Sequence, residues 1–513
     1  MARPDFAPTP LRLLTENPVE VLKLLREGWI EALEPGGDYV TDLHLLYALK
    51  SGLLTECAAG FPDPRCAPEI PVRVLLAASV AGALQGEYAL CQAGCALHSA
   101  AVLAELGLNV QWLAPGAGLS RRGTQEESVF HSDTLRKLLG RLGREDRKAG
   151  RAPGANLLEW WNETVGPAFL RHAGGGTGVW IVDATKVLVN LRNPRYAGSE
   201  TSKDDAGQPV RGYKLGLLST LIDVGRLILG VHCAGVRQGD LPVVRPLVQE
   251  TTGLQDPPGN RLLTAGDTLL EDRGLIDGGV ITCLKRDLGV DVVFPLKKDM
   301  LAYRLAVWKA TERKHYWKSH PTRKGQEYQG VEQIGGPWEE CQVLLNGVVV
   351  REKDPEHRDA AADGYRYWVF ATTKLDRSAK GTLQEYSARS ECEEDHRQVK
   401  GPDWELDEFT STAYVEILFH ILMVLFAYNL CQLYGLTEAG QRFAGKTKKA
   451  RQREVRRQRE RYFVVIAPPF YGVVRELDVA EVLLDVEGAP KERLKAVVQR
   501  QKARQPADDA RLG

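Results

Sequence analysis

At 513 residues the chain exceeds what one hydrophobic core usually serves, so roughly two to four domains are expected, with a large central one. Hydrophobic residues at 43% and charged residues at 26% exclude disordered and collagen-like classes. Basic and acidic residues total 67 each, which excludes a uniformly basic chain, yet Arg442 to Arg461 holds ten basic residues against Glu454 and Glu460.

Met1 to Leu11 carries three prolines and two charges before any apolar run, unlike a secretory signal, so export is not expected. Residues 15 to 170 read as helical without a strand signal, with apolar runs such as Val72 to Leu84 and a polar break at Pro115 to Arg122. Ser132 opens a capped amphipathic turn with a glycine stop, which suits a small helical module for DNA-end binding or plain scaffolding. Nine cysteines in a chain without a signal point to reduced thiols in the cytoplasm. Cys57, Cys66, Cys91 and Cys95, with His98, contain no C-x2-C pair, which argues against a zinc site.

After Gly174 to Gly176 the texture turns to strands. Val179 to Asp183 reads as a buried strand ending at an acid, and Tyr213 to Asp223 with Arg226 to Ala234 as a hairpin turning at Val224-Gly225. A helix at Leu241 to Glu250 follows, then a strand ending near Asp272, a helix at Ile276 to Leu288 and a strand at Asp291 to Leu296. Three antiparallel strands followed by alternating helix and strand is the order of a ribonuclease H-like core: α/β, with a mixed sheet and helices on its faces. Strand-like pieces at Cys341 to Val350 and Tyr365 to Thr372 mark a β-rich insertion before helix resumes at about Gln384. Tyr414 to Leu430 is very apolar, but at 17 residues with Glu416 and His420 it reads as a buried helix, not a membrane span. The expected segments are a helical N-terminal domain (1–172), the core (173–298), the insertion (299–383), the final core helices (384–436) and a helical, basic C-terminal region (437–513).

The most informative cluster is Tyr386-x2-Arg389-x3-Glu393-x6-Lys400. At about 100° per residue the four positions fall within about 60° of one another, on one face of a helix. A tyrosine, two cations and an acid on one stripe are costly to bury unless a polyanion or metal meets them. This pattern resembles the third motif of the DDE transposases of bacterial insertion sequences, in the fourth family, over about residues 175 to 435. The resemblance implies a first acid at Asp183, followed by Ala184-Thr185, and a second at Asp272 in Asp272-Arg273-Gly274. Leu275 departs from the aromatic common there. Asp267 competes for the second role, but reads better as the turn residue before Thr268.

The implied activity is metal-dependent cutting and joining of DNA. Asp183, Asp272 and Glu393 would hold two Mg²⁺ ions, with Mn²⁺ able to substitute, because hard cations prefer carboxylate oxygen. Tyr386, Arg389 and Lys400 would contact phosphates near the transposon end. Trp308, Trp317 and Trp338 stand among cations in the insertion, where relatives use an aromatic to hold a flipped base, though for any one tryptophan core packing is the commoner role. The basic run, including Lys448, Lys449, Arg453, Arg456 and Arg457, suits DNA phosphate. Expected partners are double-stranded DNA, both transposon ends and target, and a second copy in a homodimer, with no membrane, in a cytoplasmic, nucleoid-associated setting. The alternatives are a catalytically silent DNA-binding protein and a nuclease of the same fold without strand transfer.

Overall fold

The computed structural model describes residues 12–13, 18–35, 39–68, 70–97, 99–107, 130–204, 206–251, 262–312, 316–335, 340–357, 361–451, 462–467 and 470–502; the side chains of 390–396 lie outside the description. The chain is mixed α/β, 45% helical and 22% strand, with parallel and antiparallel strands in one sheet. It divides into two compact units, Trp161–Lys400 and the remainder, Met1–Trp160 with Gly401–Gly513. These units cut across the five expected segments.

The first unit begins with β1 (Arg12–Leu13), α1 (Pro18–Glu27) and β2 (Ala32–Pro35), followed by α2 (Tyr39–Lys50), α3 (Leu53–Ala59), α4 (Val72–Gln85), α5 (Ala100–Glu105), α6 (Asp133–Lys148) and α7 (Ala155–Trp160). Val72 starts α4 directly after Pro71, and the helix stops at Gly86, whose φ of 86° suits the left-handed conformation. On α6 the leucines at 135, 138, 139 and 142 form the buried stripe, and the buried carboxylate of Asp146 accepts the N–H groups of Gly154 and Asn156 at the start of α7. The break expected at Pro115 to Arg122 lies outside the described residues.

The second unit starts with a π-helical turn, Trp161–Val165, and α8 (Gly166–His172). Its strands are β3 (Val179–Val189), β4 (Glu200–Lys203), β5 (Pro209–Ile222), β6 (Gly225–Gly235), β7 (Thr268–Leu270), β8 (Asp291–Pro295), β9 (Lys318–Ser319), β10 (Gln326–Gly335), β11 (Leu345–Lys353) and β12 (Tyr365–Thr372). They form one sheet in the order β4-β5-β3-β7-β8-β12-β11-β10-β9, with β6 also on β5. The β3–β5 and β5–β6 pairs are antiparallel; β3–β7 and β7–β8 are parallel. Interspersed are α9 (Asp240–Thr251), α10 (Gly278–Asp287), α11 (Leu301–Glu312) and α12 (Ala379–Lys400).

Two details fix the front of this unit. Asn162 pairs with the backbone of β6 as a strand would, donating to the Val231 carbonyl at 3.1 Å and accepting the Val231 N–H at 2.9 Å. One turn later Gly166 lies so close to β6 that an added Cβ would meet the Leu229 carbonyl oxygen at 2.2 Å. The insertion is not a separate subdomain. Its last strand, β12, pairs antiparallel with β8, Ala371 opposite Phe294, so the insertion lengthens the core sheet.

The first unit then closes with α13 (Tyr414–Tyr434), β13 (Tyr462–Ala467), β14 (Phe470–Arg475), α14 (Glu476–Asp485) and α15 (Ala489–Lys502). Two expectations change here: the C-terminal region is not all helix, and the N-terminal stretch is not free of strands. β13 and β14 pair as a hairpin and join β1 and β2 in a four-stranded sheet, ordered β1-β14-β13-β2. Alternation along β13 explains the arrangement: Val465 packs with Val21, Leu25, Val479 and Leu494, while Val464 and Ile466 pack on the other face with Ala101, Ala104 and Tyr471. Helix α13 is long and apolar enough to cross a membrane, yet its apolar window is 89% buried within the structure, as in a core helix.

The buried imidazole of His420 on α13 gives this unit a pH signature. Its Nε2 lies 3.3 Å from the Glu405 carbonyl, with Tyr88 and Phe409 edge-on, and burial holds its pKa down to about 4 from an ordinary 6.5. Between those values the unfolded chain binds a proton that the native state refuses, so stability is full above pH ~6.5 and falls as the pH drops toward ~4. The expected loss is on the order of 3 kcal/mol, read by urea unfolding at neutral and acid pH. His420→Gln should shrink the difference; an unchanged pH dependence would remove His420 as its source.

Candidate active site

Asp183 and Asp272 each follow the paired stretch of two neighbouring parallel strands. In the β3–β7 pair the last register partners are Ile181 and Leu270, and the two acids come two residues later in their own segments, both within reach of Arg389. Asp183 does not end its strand as expected. β3 runs on to Val189, but β7 stops at Leu270, so beyond that point β3 keeps β5 as its described partner and its other flank opens. The crevice therefore lies outside the carboxyl ends of parallel strands, where open α/β sheets bind ligands.

After β7 the chain turns into a short 3₁₀ segment, Arg273–Leu275, with Asp272 extended at its start. Gly274 is needed for space: a Cβ there would come within 2.9 Å of Asp240 Oδ2, and Asp240 is held at 2.8 Å by the buried Lys214. Beside Asp272, the buried Glu271 has its pKa pushed up to about 8 by burial, with a contribution from Asp277. At neutral pH it is uncharged and adds no repulsion to its neighbour. Asp267 sits at the other end of β7, accepting from Trp180 Nε1 at 3.1 Å and from the Thr264 N–H at 2.8 Å; it is a turn residue.

Helix α12 lies against this end of the sheet. Tyr386 and Ala388 pack with Ile181, Leu270 and Val293, and the Tyr386 hydroxyl donates to the Glu271 carbonyl at 3.3 Å. Burial pushes the phenol pKa up, so Tyr386 remains a neutral donor. One turn on, Arg389 Nη2 lies 3.7 Å from Asp183 Oδ1 and 3.3 Å from Asp272 Oδ2, so one guanidinium spans both carboxylates. Lys400 Nζ donates to Thr185 Oγ1 at 2.8 Å, two residues beyond Asp183. Position 393 is in the same helix, one turn past Arg389; its side chain lies outside the described residues.

The donor set fits hard divalent cations. Asp183 and Asp272 are adjacent oxygen donors that already share a positive group, and the helix bearing Glu393 faces them. Such a pair is unfavourable without a cation near both members.

The other expected DNA contacts fare unevenly. Trp308 is 58% exposed on α11. Trp317 is half-buried, under the Arg351 guanidinium at 4.0 Å, with Arg351 also bound to Glu327. Trp338, Arg453, Arg456 and Arg457 lie outside the described residues. Lys448 is not a surface contact: it is buried, donates to the Ala83 carbonyl at 2.8 Å and sits over Trp404 at 4.9 Å. Lys449 is exposed and pairs with Asp403 at 3.3 Å.

One aromatic went unnoticed in the sequence. A cleft of about 240 Å³ beside Arg389 is lined by His320, Arg323, Trp368, Phe370, Tyr386 and Ser387, among others. Trp368 and Phe370 share a face of β12 with Arg366, whose guanidinium lies 4.9 Å over the Trp368 ring, and Phe370 packs on Tyr386 at 4.7 Å. The signal was there as alternation, Arg366-x-Trp368-x-Phe370, in a segment read as a strand.

Neither the protein-family models nor the curated proteins gives a match to this chain.

Removing the shared cation tests the geometry. Arg389→Ala should lower the thermal stability of the metal-free protein by about 1 kcal/mol at neutral pH, with recovery on adding Mn²⁺. Equal stability of variant and parent would mean that Asp183 and Asp272 do not share one electrostatic site.

Proposed function

We propose that the chain is a metal-dependent DNA transposase of the acidic-triad type, built on a ribonuclease H-like core. The observation that carries the reading is the Arg389 guanidinium, 3.7 Å from Asp183 and 3.3 Å from Asp272, on a helix that also bears Tyr386, Glu393 and Lys400 of the stripe. The strand order β6-β5-β3-β7-β8, with β3 antiparallel to β5 and parallel to β7, supports the core assignment.

In this reading Asp183, Asp272 and Glu393 would hold two Mg²⁺ ions, or Mn²⁺ in their place, which would supply activation of the attacking oxygen and stabilisation of the leaving oxygen. Arg389 would grip a phosphate through its fork, and Lys400 would add a point charge along the same stripe. Tyr386, neutral and packed on Phe370, fixes the helix against the strand ends. Attack by water at phosphorus frees a 3′-hydroxyl, and attack by that hydroxyl on a second duplex joins the strands. Two ends must meet, so the working form is a homodimer on DNA, in a cytoplasmic, nucleoid-associated setting. Trp368, not Trp317, is the aromatic placed beside Arg389 to stack an unpaired base.

The decisive experiment incubates the protein and Mg²⁺ with DNA carrying the repeats that flank its gene, then with pre-cut ends and a target plasmid. Cleavage and joining are expected from the parent, with each reduced ~10³-fold by Glu393→Gln, Asp183→Asn or Asp272→Asn. Equal cleavage by parent and Glu393→Gln would end the assignment of Glu393; cleavage without joining would favour a nuclease.

Stacking is tested with 2-aminopurine at the terminal nucleotide. Trp368→Ala should lose the fluorescence change that Trp317→Ala keeps, weakening end binding by ~1–3 kcal/mol. The reverse pattern would reinstate Trp317.

A further inference from the structure

Past the end of β8 the sheet opens. Pro295, the last residue of β8, lies opposite Phe370, while β12 begins at Tyr365, so residues 365–368 extend beyond the β8 register. A second cleft of about 150 Å³ occupies this gap, walled by Arg273, Lys298, Tyr303, Arg366, Tyr367 and Trp368. Tyr303 closes one flank by donating to the Tyr367 carbonyl at 2.9 Å. Trp368 is the wall shared with the cleft beside Arg389.

The lining has one sign. Arg273, Lys298 and Arg366 bring three cations, and among the described residues no carboxylate lines the cleft. Arg366 reaches an acid, Asp354, at a long 3.5 Å, and its guanidinium lies over Trp368. Arg273 directly follows Asp272 in the chain. Forked guanidinium groups with one ammonium match phosphate oxygens.

We propose that this cleft is a second phosphodiester-binding site, holding the DNA backbone on the far side of the scissile phosphate from the Tyr386–Lys400 stripe. The assignment rests on the transposase reading. One strand passing Asp272 would have Arg389 and the first cleft on one side of Trp368, and Arg273, Lys298 and Arg366 on the other. The phosphates come either from DNA flanking the element or from the target duplex.

The test is fluorescence anisotropy of the full chain over a salt series, with three probes: an end duplex retaining its flank, a pre-cut end, and a target duplex added to the pre-cut complex. Lys298→Ala/Arg366→Ala should reduce the slope of log affinity against log salt by about 2 on the flanked or the target probe, and leave the pre-cut end unchanged. Loss on the flanked probe assigns the cleft to flank, and loss on the target probe assigns it to target. Lys298→Arg/Arg366→Lys, which keeps the charge, should restore the slope and so separates lost charge from a damaged fold. An unchanged slope on both probes overturns the proposal and leaves the transposase reading standing; so does equal loss on the pre-cut end. If the parent shows no salt-dependent DNA binding at all, the transposase reading itself fails.

Discussion

Two aspartates brought near one another repel unless positive charge sits with both, and in the second unit that demand falls on Asp183 and Asp272. Each lies two residues past the paired stretch of β3 and β7; β3 runs on to Val189 while β7 stops at Leu270. Arg389 meets the demand from a helix fixed by apolar contacts of Tyr386 and Ala388. Even the neighbouring acid conforms: Glu271, buried where an ion would be costly, stays protonated at neutral pH and leaves the charge to Asp272.

The insertion takes its meaning from the same edge. Had it folded by itself, its aromatics would have had no fixed relation to the acids. By pairing β12 with β8 it continues the sheet that carries Asp272, and alternation along β12 sets Trp368 and Phe370 on the side of α12. A single strand pairing thus positions an aromatic wall, with clefts on both sides, relative to Asp183 and Asp272.

Much of this was legible in local pattern. The hairpin of β5 and β6 showed as two apolar runs around Val224-Gly225, the α12 helix as a helical period, and Asp267 as a turn residue, which its contacts with Trp180 and Thr264 explain. What escaped depends on partners distant in sequence. β2 is four residues long and exists because β13, more than four hundred positions later, pairs with it. Lys448 looked like one cation in a basic run, and nothing local foretold the Ala83 carbonyl and the Trp404 ring that enclose it. Trp317 and Trp368 both stand near cations in sequence; long-range pairing sets Trp317 under Arg351 and Trp368 in the wall of a cleft beside Arg389.

The four-stranded sheet of the first unit draws β1 and β2 from one end of the chain and β13 and β14 from the other. During synthesis, β2 emerges from the ribosome long before the hairpin it pairs with has been made, whereas Trp161–Lys400 is continuous and has all its strands once Lys400 is out. The order of assembly is therefore set by the order of translation: Asp183 and Asp272 are in place while the early segments still wait for their partners. A ribosome that stalls between Lys400 and Tyr462 would leave a nascent chain with a finished acidic centre and an open β2 edge, a species that chaperones would have to shield.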